Sequence, residues 1–273
     1  MAPGETASQS VSAVDLDAAV RAEVRDLILC LADSKRLLGM RYAEWILGAP
    51  ELEAGIACAS MAQDEWGHAR LLYALLKDFG DDVDRIEHGR EPAEYWNLAA
   101  LDEAPAAWPE LAALNALADT ALSVQLEALS ASSYAPLRQR VQKLLDEEQF
   151  HRAHGAAWLR RLAGGSAASR SAAAAAVRAL LPRLLQWFGP ESVRANALNR
   201  AGVVNALPGD LRDRLLRRIA PWVADLIDPA RLEAPAFGFE DFDETTRRPR
   251  GTTPDAATIA RIRGDKNRAF LMD

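Results

Sequence analysis

Cysteine and histidine are scarce in this chain of 273 residues, with two of the first and four of the second. Cys30 and Cys58 fall in apolar helical stretches and are too few for a disulfide framework, which suits a reducing, cytoplasmic setting. No window approaches the roughly 20 consecutive apolar residues that a membrane span requires. Met1 to Val14 lacks the basic-then-apolar pattern of a signal peptide and reads as a disordered tail. Positive charge is short as well: the formal net charge is −7, which argues against a nucleic-acid surface, because phosphates want clustered Lys and Arg. No stretch alternates apolar and polar positions with β-branched residues, so strands are not expected. A Gly-rich, phosphate-cradling loop is missing too.

Apolar residues make up 49% of the chain, enough for a sizeable core in one domain. Asp15 to Gly48 runs without proline, with Leu27, Leu31, Leu38 and Ile46 at helical spacing, and Gly48-Ala49-Pro50 ends it. A second helix is expected from about Glu51 to Phe79. The segment Asp81 to Pro109, rich in acid, proline and tryptophan, reads as a crossover with one short helix around Pro92 to Leu98. A third helix from Pro109 to about Ser132 and a fourth from Leu137 to about Leu162 follow. Two more are expected at Ser171 to Phe188 and Asp210 to Ile227. Two helical hairpins joined by a long crossover form an all-α, ferritin-like four-helix bundle, here with extra C-terminal helices. The organisation expected is a tail over residues 1–14, a helical domain over 15–228, and a C-terminal extension over 229–273 that packs on the bundle.

The chemistry lies in two repeats of one pattern. The second helix carries Glu65-x-x-His68 and the fourth Glu148-x-x-His151. Three residues apart, Glu and His leave the same helix face one turn from each other. The face around the first reads Cys58, Met61, Glu65, His68, Leu72, Leu75. That around the second reads Val141, Leu144, Glu148, His151, Gly155, Trp158, Leu162. Each stripe is apolar except at its centre. A carboxylate and an imidazole buried together are costly without a partner, and a metal ion suits both. A single Glu-x-x-His is ordinarily a solvated pair or a core hydrogen bond. Two copies, one in each hairpin, match the dimetal carboxylate bundles, whose other two helices each give one carboxylate.

Height along the hairpins suggests those single carboxylates. Glu65 and His68 lie about 17 residues past the first turn, so the level position on the first arm is near residue 32, where Asp33 stands. The same rule about the second turn points near residue 120, where Asp119 stands. Glu44 and Glu127 are the alternatives, each 21 residues before the Glu of its hairpin; their plainer roles are helix-end carboxylates or ion-pair partners for Arg41 or Arg70. His154 and His88 read as surface residues, and Trp66 and Trp158 as core aromatics.

The stretches Gln63-Asp-Glu-Trp-Gly-His-Ala-Arg-Leu-Leu-Tyr73, Ser133-Tyr-Ala-Pro and Asp146-Glu-Glu-Gln-Phe-His-Arg-Ala-His-Gly155 resemble the diiron catalytic subunit of the phenylacetyl-CoA epoxidase family. Leu117-Ala-Asp-Thr120 matches where that family places its third-helix aspartate ligand. The first helix departs from it: Lys35 or Arg36 stands where the catalytic subunit has a glutamate ligand. Asp33 and Glu44-Trp-Ile-Leu-Gly-Ala-Pro-Glu-Leu-Glu53 instead look like the structural partner subunit. The resemblance implies two iron ions, with manganese as the alternative, and O2 as co-substrate. It also implies an aromatic CoA thioester such as phenylacetyl-CoA as substrate, an electron-donating reductase, and a helical partner subunit in a homo- or hetero-oligomer. Other readings are a non-catalytic structural subunit and an iron-storing or peroxide-consuming bundle. A radical-generating subunit would carry a tyrosine one turn past the first ligand histidine, where Leu72 stands.

Overall fold

The computed structural model describes residues 12–228 and 237–270. Residues 1–11 of the expected tail, and 229–236 and 271–273 of the expected extension, lie outside the described residues. Ser12, capping against Asp15, starts a 3-10 turn at Ala13–Asp15.

Helix α1 (Ala18–Ala43) starts at Asp17, whose side chain accepts from the Ala19 amide. It ends five residues before the expected Gly48, in a turn leading to α2 (Leu52–Tyr73). Past α2 the backbone tightens into a 3-10 segment, Ala74–Phe79, and Gly80 closes it at φ +89°, a left-handed conformation that suits glycine. The crossover holds α3 (Val83–His88) and two 3-10 turns, Pro92–Glu94 and Ala99–Leu101. Its one α-helix therefore comes earlier than expected. Helix α4 (Trp108–Glu127) stops short of the expected Ser132, and α5 (Ala135–Ala163) follows with Pro136 in its first turn, where a missing N–H costs nothing.

Helices α1 and α2 pack as one hairpin and α4 and α5 as the other, and α2 meets α5 across the bundle. The result is an all-α, ferritin-like bundle. Further helices α6 (Ala167–Trp187), α7 (Val193–Arg200), α8 (Pro208–Val223) and α9 (Ala256–Arg263) surround it. A two-residue ladder, β1 (Phe242–Asp243) with β2 (Arg248–Pro249), is paired antiparallel with Phe242 opposite Pro249. Neither α7 nor the ladder is announced by sequence periodicity.

Helix α4 explains the extra helices. Every residue from Leu111 to Leu126 is buried. A helix apolar all round must be covered all round, and α1, α5, α6 and α8 all pack on it. Helix α1 is buried without a break from Leu27 to Lys35, beneath α2, α7 and α9. No described helix is long and apolar enough to cross a membrane.

Candidate metal centre

At mid-bundle, four helices bring charged groups together. Glu65 and His68 come from α2, Glu148 and His151 from α5, Asp119 from α4, and Lys35 from α1. None is more than 2% exposed. Glu65, Asp119, Glu148 and His151 each offer one ligand atom, and these atoms lie within 4.8 Å of one another. His68 Nδ1 sits 3.3 Å from Glu148 Oε1 and 3.9 Å from Glu65 Oε2. Lys35 Nζ stands among the acids, 2.5 Å from Glu148 Oε1, 3.0 Å from Glu65 Oε1 and 3.8 Å from Asp119 Oδ1.

The imidazoles are braced crosswise. His68 Nε2 lies 2.6 Å from Glu147 Oε2, and His151 Nε2 lies 3.2 Å from Asp64 Oδ2. In each repeat the acid just before the buried Glu therefore holds the histidine of the other repeat. A carboxylate on Nε2 fixes that nitrogen as the N–H and turns the Nδ1 lone pair inward, the arrangement that orients metal-binding histidines. Tyr42, in the last turn of α1, donates its hydroxyl to Asp119 on α4. Asn115 Nδ2 donates to Asp119 Oδ2 at 2.8 Å and to the His151 carbonyl at 3.1 Å. Ser123 donates to Glu148 Oε2 at 3.1 Å. Gly155, one turn past His151, permits the approach of α4: a Cβ there would lie 2.5 Å from the Ala116 amide nitrogen.

The electrostatics follow from crowding charges away from water. Burial, with the charges of Glu148 and Glu65 beside it, pushes the Asp119 carboxyl up to about 8. Burial also works against ionisation of Glu148, yet the Lys35 ammonium and the two histidines hold its carboxyl well below the usual range. Burial lowers the His151 imidazole, but the hydrogen bond to Glu65 and the charges of Asp119, Glu65 and Glu148 outweigh it and raise it to about 10. Without a cation the cluster keeps protons at neutral pH, and a cation would displace them.

Three buried atoms of the cluster, Glu65 Oε2, His68 Nδ1 and Asp119 Oδ1, have no hydrogen-bond partner among the described residues. Unmet lone pairs on acids and an imidazole are what a metal ion would use, and the mixed oxygen and nitrogen set suits iron or manganese. The residues therefore fit a metal ion. The six-ligand set expected for a pair is not assembled, because the carboxylate expected from α1 is absent.

That carboxylate was to come from Asp33, which the structure places elsewhere. Asp33 accepts from Arg90 Nη1 at 2.9 Å and also from Arg90 Nη2, from the Trp96 amide at 2.8 Å and from the Tyr73 hydroxyl at 2.5 Å. The hairpin rule fixes height but not direction. Two residues along a helix turn the side chain by about 200°, so Lys35, and not Asp33, enters the cluster. Asp119, argued the same way, does lie in it. Glu44 is paired with Arg41 and Arg261, and Glu127 with Arg218. His154, expected at the surface, is half-buried, 2.9 Å from Asn115 Oδ1 through Nδ1 and receiving the Trp158 indole N–H at 3.2 Å. His88 is half-buried beside Glu87. The sequence reading overlooked Asp64 and Glu147, although both repeats carry an acid just before the metal-type Glu. Tyr42 and Asn115 had no such signal.

The fold and the cluster define a ferritin-like helical protein with a buried site able to hold a metal ion. More particularly, the model of the phenylacetic acid catabolic protein family matches residues 11–245, and the chain belongs to that family. It is 29% identical over 151 residues to one component of the 1,2-phenylacetyl-CoA epoxidase of Escherichia coli (strain K12), a match covering 54% of this chain and 47% of that component. It is 26% identical over 212 residues to another component of the 1,2-phenylacetyl-CoA epoxidase from the same organism, covering 76% of this chain and 82% of that second component. The chain thus spans about half the length of the first relative and most of the second, and both relatives are epoxidase subunits.

Proposed function

We propose that the chain is the metal-binding component of an O2-dependent oxygenase that acts on an aromatic acyl-CoA thioester such as phenylacetyl-CoA, alongside a helical partner subunit and a reductase. The observation that carries this reading is the convergence of both Glu-x-x-His pairs with Asp119 in one buried cluster that holds unmet lone pairs.

Glu65, Asp119, Glu148 and His151 would hold the metal. A redox-active metal bound there would supply one-electron chemistry towards O2, with its electrons coming from the reductase. The other roles belong to the chain. Asp64 and Glu147 set the histidine tautomers, and Tyr42 with Asn115 fixes the Asp119 carboxylate. Met61, Leu72 and Leu144, one turn away on the same faces, keep water out, which strengthens every charge interaction within. His151 releases a proton as the cation binds.

Lys35 favours a second reading, a purely structural role in such a complex, because an ammonium among three acids satisfies much of the cluster without metal. Oxygen uptake separates the two. Protein reconstituted with ferrous iron, a reductase and aryl-CoA thioesters should consume O2 in step with thioester loss, and chelation should stop it. Uptake that ignores both iron and thioester would leave the structural reading in place.

A further inference from the structure

We propose that Lys35 stands in for one of the two cations of a dimetal bundle, so that this chain holds a single metal ion, on the His151 side, with the ammonium as its permanent companion. The inference rests on the metal-binding reading above and specifies it.

Three observations carry it. First, Lys35 is fully buried, and its ammonium meets acids from α2, α4 and α5. A lysine is rarely fully buried unless paired, and here all its partners are the residues a metal would use. Second, charge sets the number of cations. With both imidazoles neutral, as ligation requires, the three fully buried carboxylates and one ammonium leave a charge of −2. Asp64 and Glu147 reach solvent, which screens them. One divalent ion neutralises the buried charge; two would leave +2 among fully buried side chains, which burial penalises heavily. A carboxylate in place of Lys35 would give −4, the charge that two divalent ions balance. Third, position selects the ion that stays. The four mutually close donors are Glu65, Asp119, Glu148 and His151, and His68 is outside that set. His68 is left to Glu148, Glu65 and the bracing Glu147.

The test uses the full-length protein, stripped of metal, loaded anaerobically with ferrous iron alone and desalted. Iron per chain is measured, followed by electron paramagnetic resonance after oxidation. Wild type should hold one iron and give the half-integer-spin signal of an isolated ferric ion. Lys35→Glu should hold two and, as a coupled pair, lose that signal. Lys35→Met keeps the buried stem without the charge; it should bind its single iron at least about tenfold tighter, since a repelling charge within contact distance has gone. Metal-free wild type would overturn both this inference and the metal-binding reading beneath it. Two coupled irons in wild type would overturn the inference alone, as would unchanged affinity in Lys35→Met. His151→Gln should abolish binding while His68→Gln keeps one iron, and the reverse pattern would overturn the placement.

Discussion

Two buried acid clusters share helix α1, two residues apart, and they are built on opposite terms. Around Asp33 every lone pair is met: Arg90 forks onto the carboxylate, and the Trp96 amide and Tyr73 hydroxyl complete it. Around Lys35 three acids crowd one ammonium, and Glu65 Oε2, Asp119 Oδ1 and His68 Nδ1 go without a hydrogen-bond partner among the described residues. A saturated buried ion pair is architecture, since removing one partner strands the other charge. An unsaturated one at the same depth is held together by the fold around it and has capacity left for a ligand.

The largest break in this comparison comes from Asp33→Ala. It strands the Arg90 guanidinium and should cost about 3–5 kcal/mol, read as a lower urea midpoint, with iron per folded chain unchanged. Lost iron without lost stability would reverse the two roles. Next is Gly155→Ala. Its methyl group would lie 2.5 Å from the Ala116 amide nitrogen, so α4 must shift, at about 1–3 kcal/mol for overpacking, and iron should bind more weakly because Asp119 moves with α4.

Glu147→Gln keeps the shape but weakens the brace on His68, and Asp64→Asn does the same to His151. Because the proposed ion sits on the His151 side, Asp64→Asn should lower iron affinity about 10–100-fold and Glu147→Gln less. Titration with ferrous iron checks the order of the two. The pH response sharpens the contrast further. The His151 imidazole rises from 6.5 to about 10 in the metal-free fold. Stabilisation by its protonated form is therefore complete below about pH 6.5 and lost as pH rises through about 10. Urea midpoints of metal-free protein should fall over that window and flatten in His151→Gln. The smallest effect belongs to the exposed pair Arg85–Glu94: Arg85→Ala should leave the midpoint and iron content unchanged, as surface pairs contribute little.

Much of this was legible in the sequence because periodicity encodes it. The two Glu-x-x-His pairs sit on apolar stripes, and a stripe says which face turns inward. Asp119 was suggested by height along a hairpin together with the Leu117-Ala-Asp-Thr120 match, not by a stripe, since α4 is also buried all round. Asp33 failed the same rule on α1, which is buried from Leu27 to Lys35 and so gives no stripe to say which of its charges points to the bundle axis. Lys35 could be noted as a departure from the resembled family, but a lysine's long stem carries no periodic mark of where its ammonium ends. Helix α7 and the β1–β2 ladder are set by contacts with the bundle, which local pattern does not report.

The most direct measurement is anomalous diffraction at the iron edge from crystals of the iron-loaded chain. One peak per chain, among Glu65, Asp119, Glu148 and His151 with Lys35 beside it, is the predicted result. Two peaks per chain, or none with the ammonium still seated among the acids, would contradict the account.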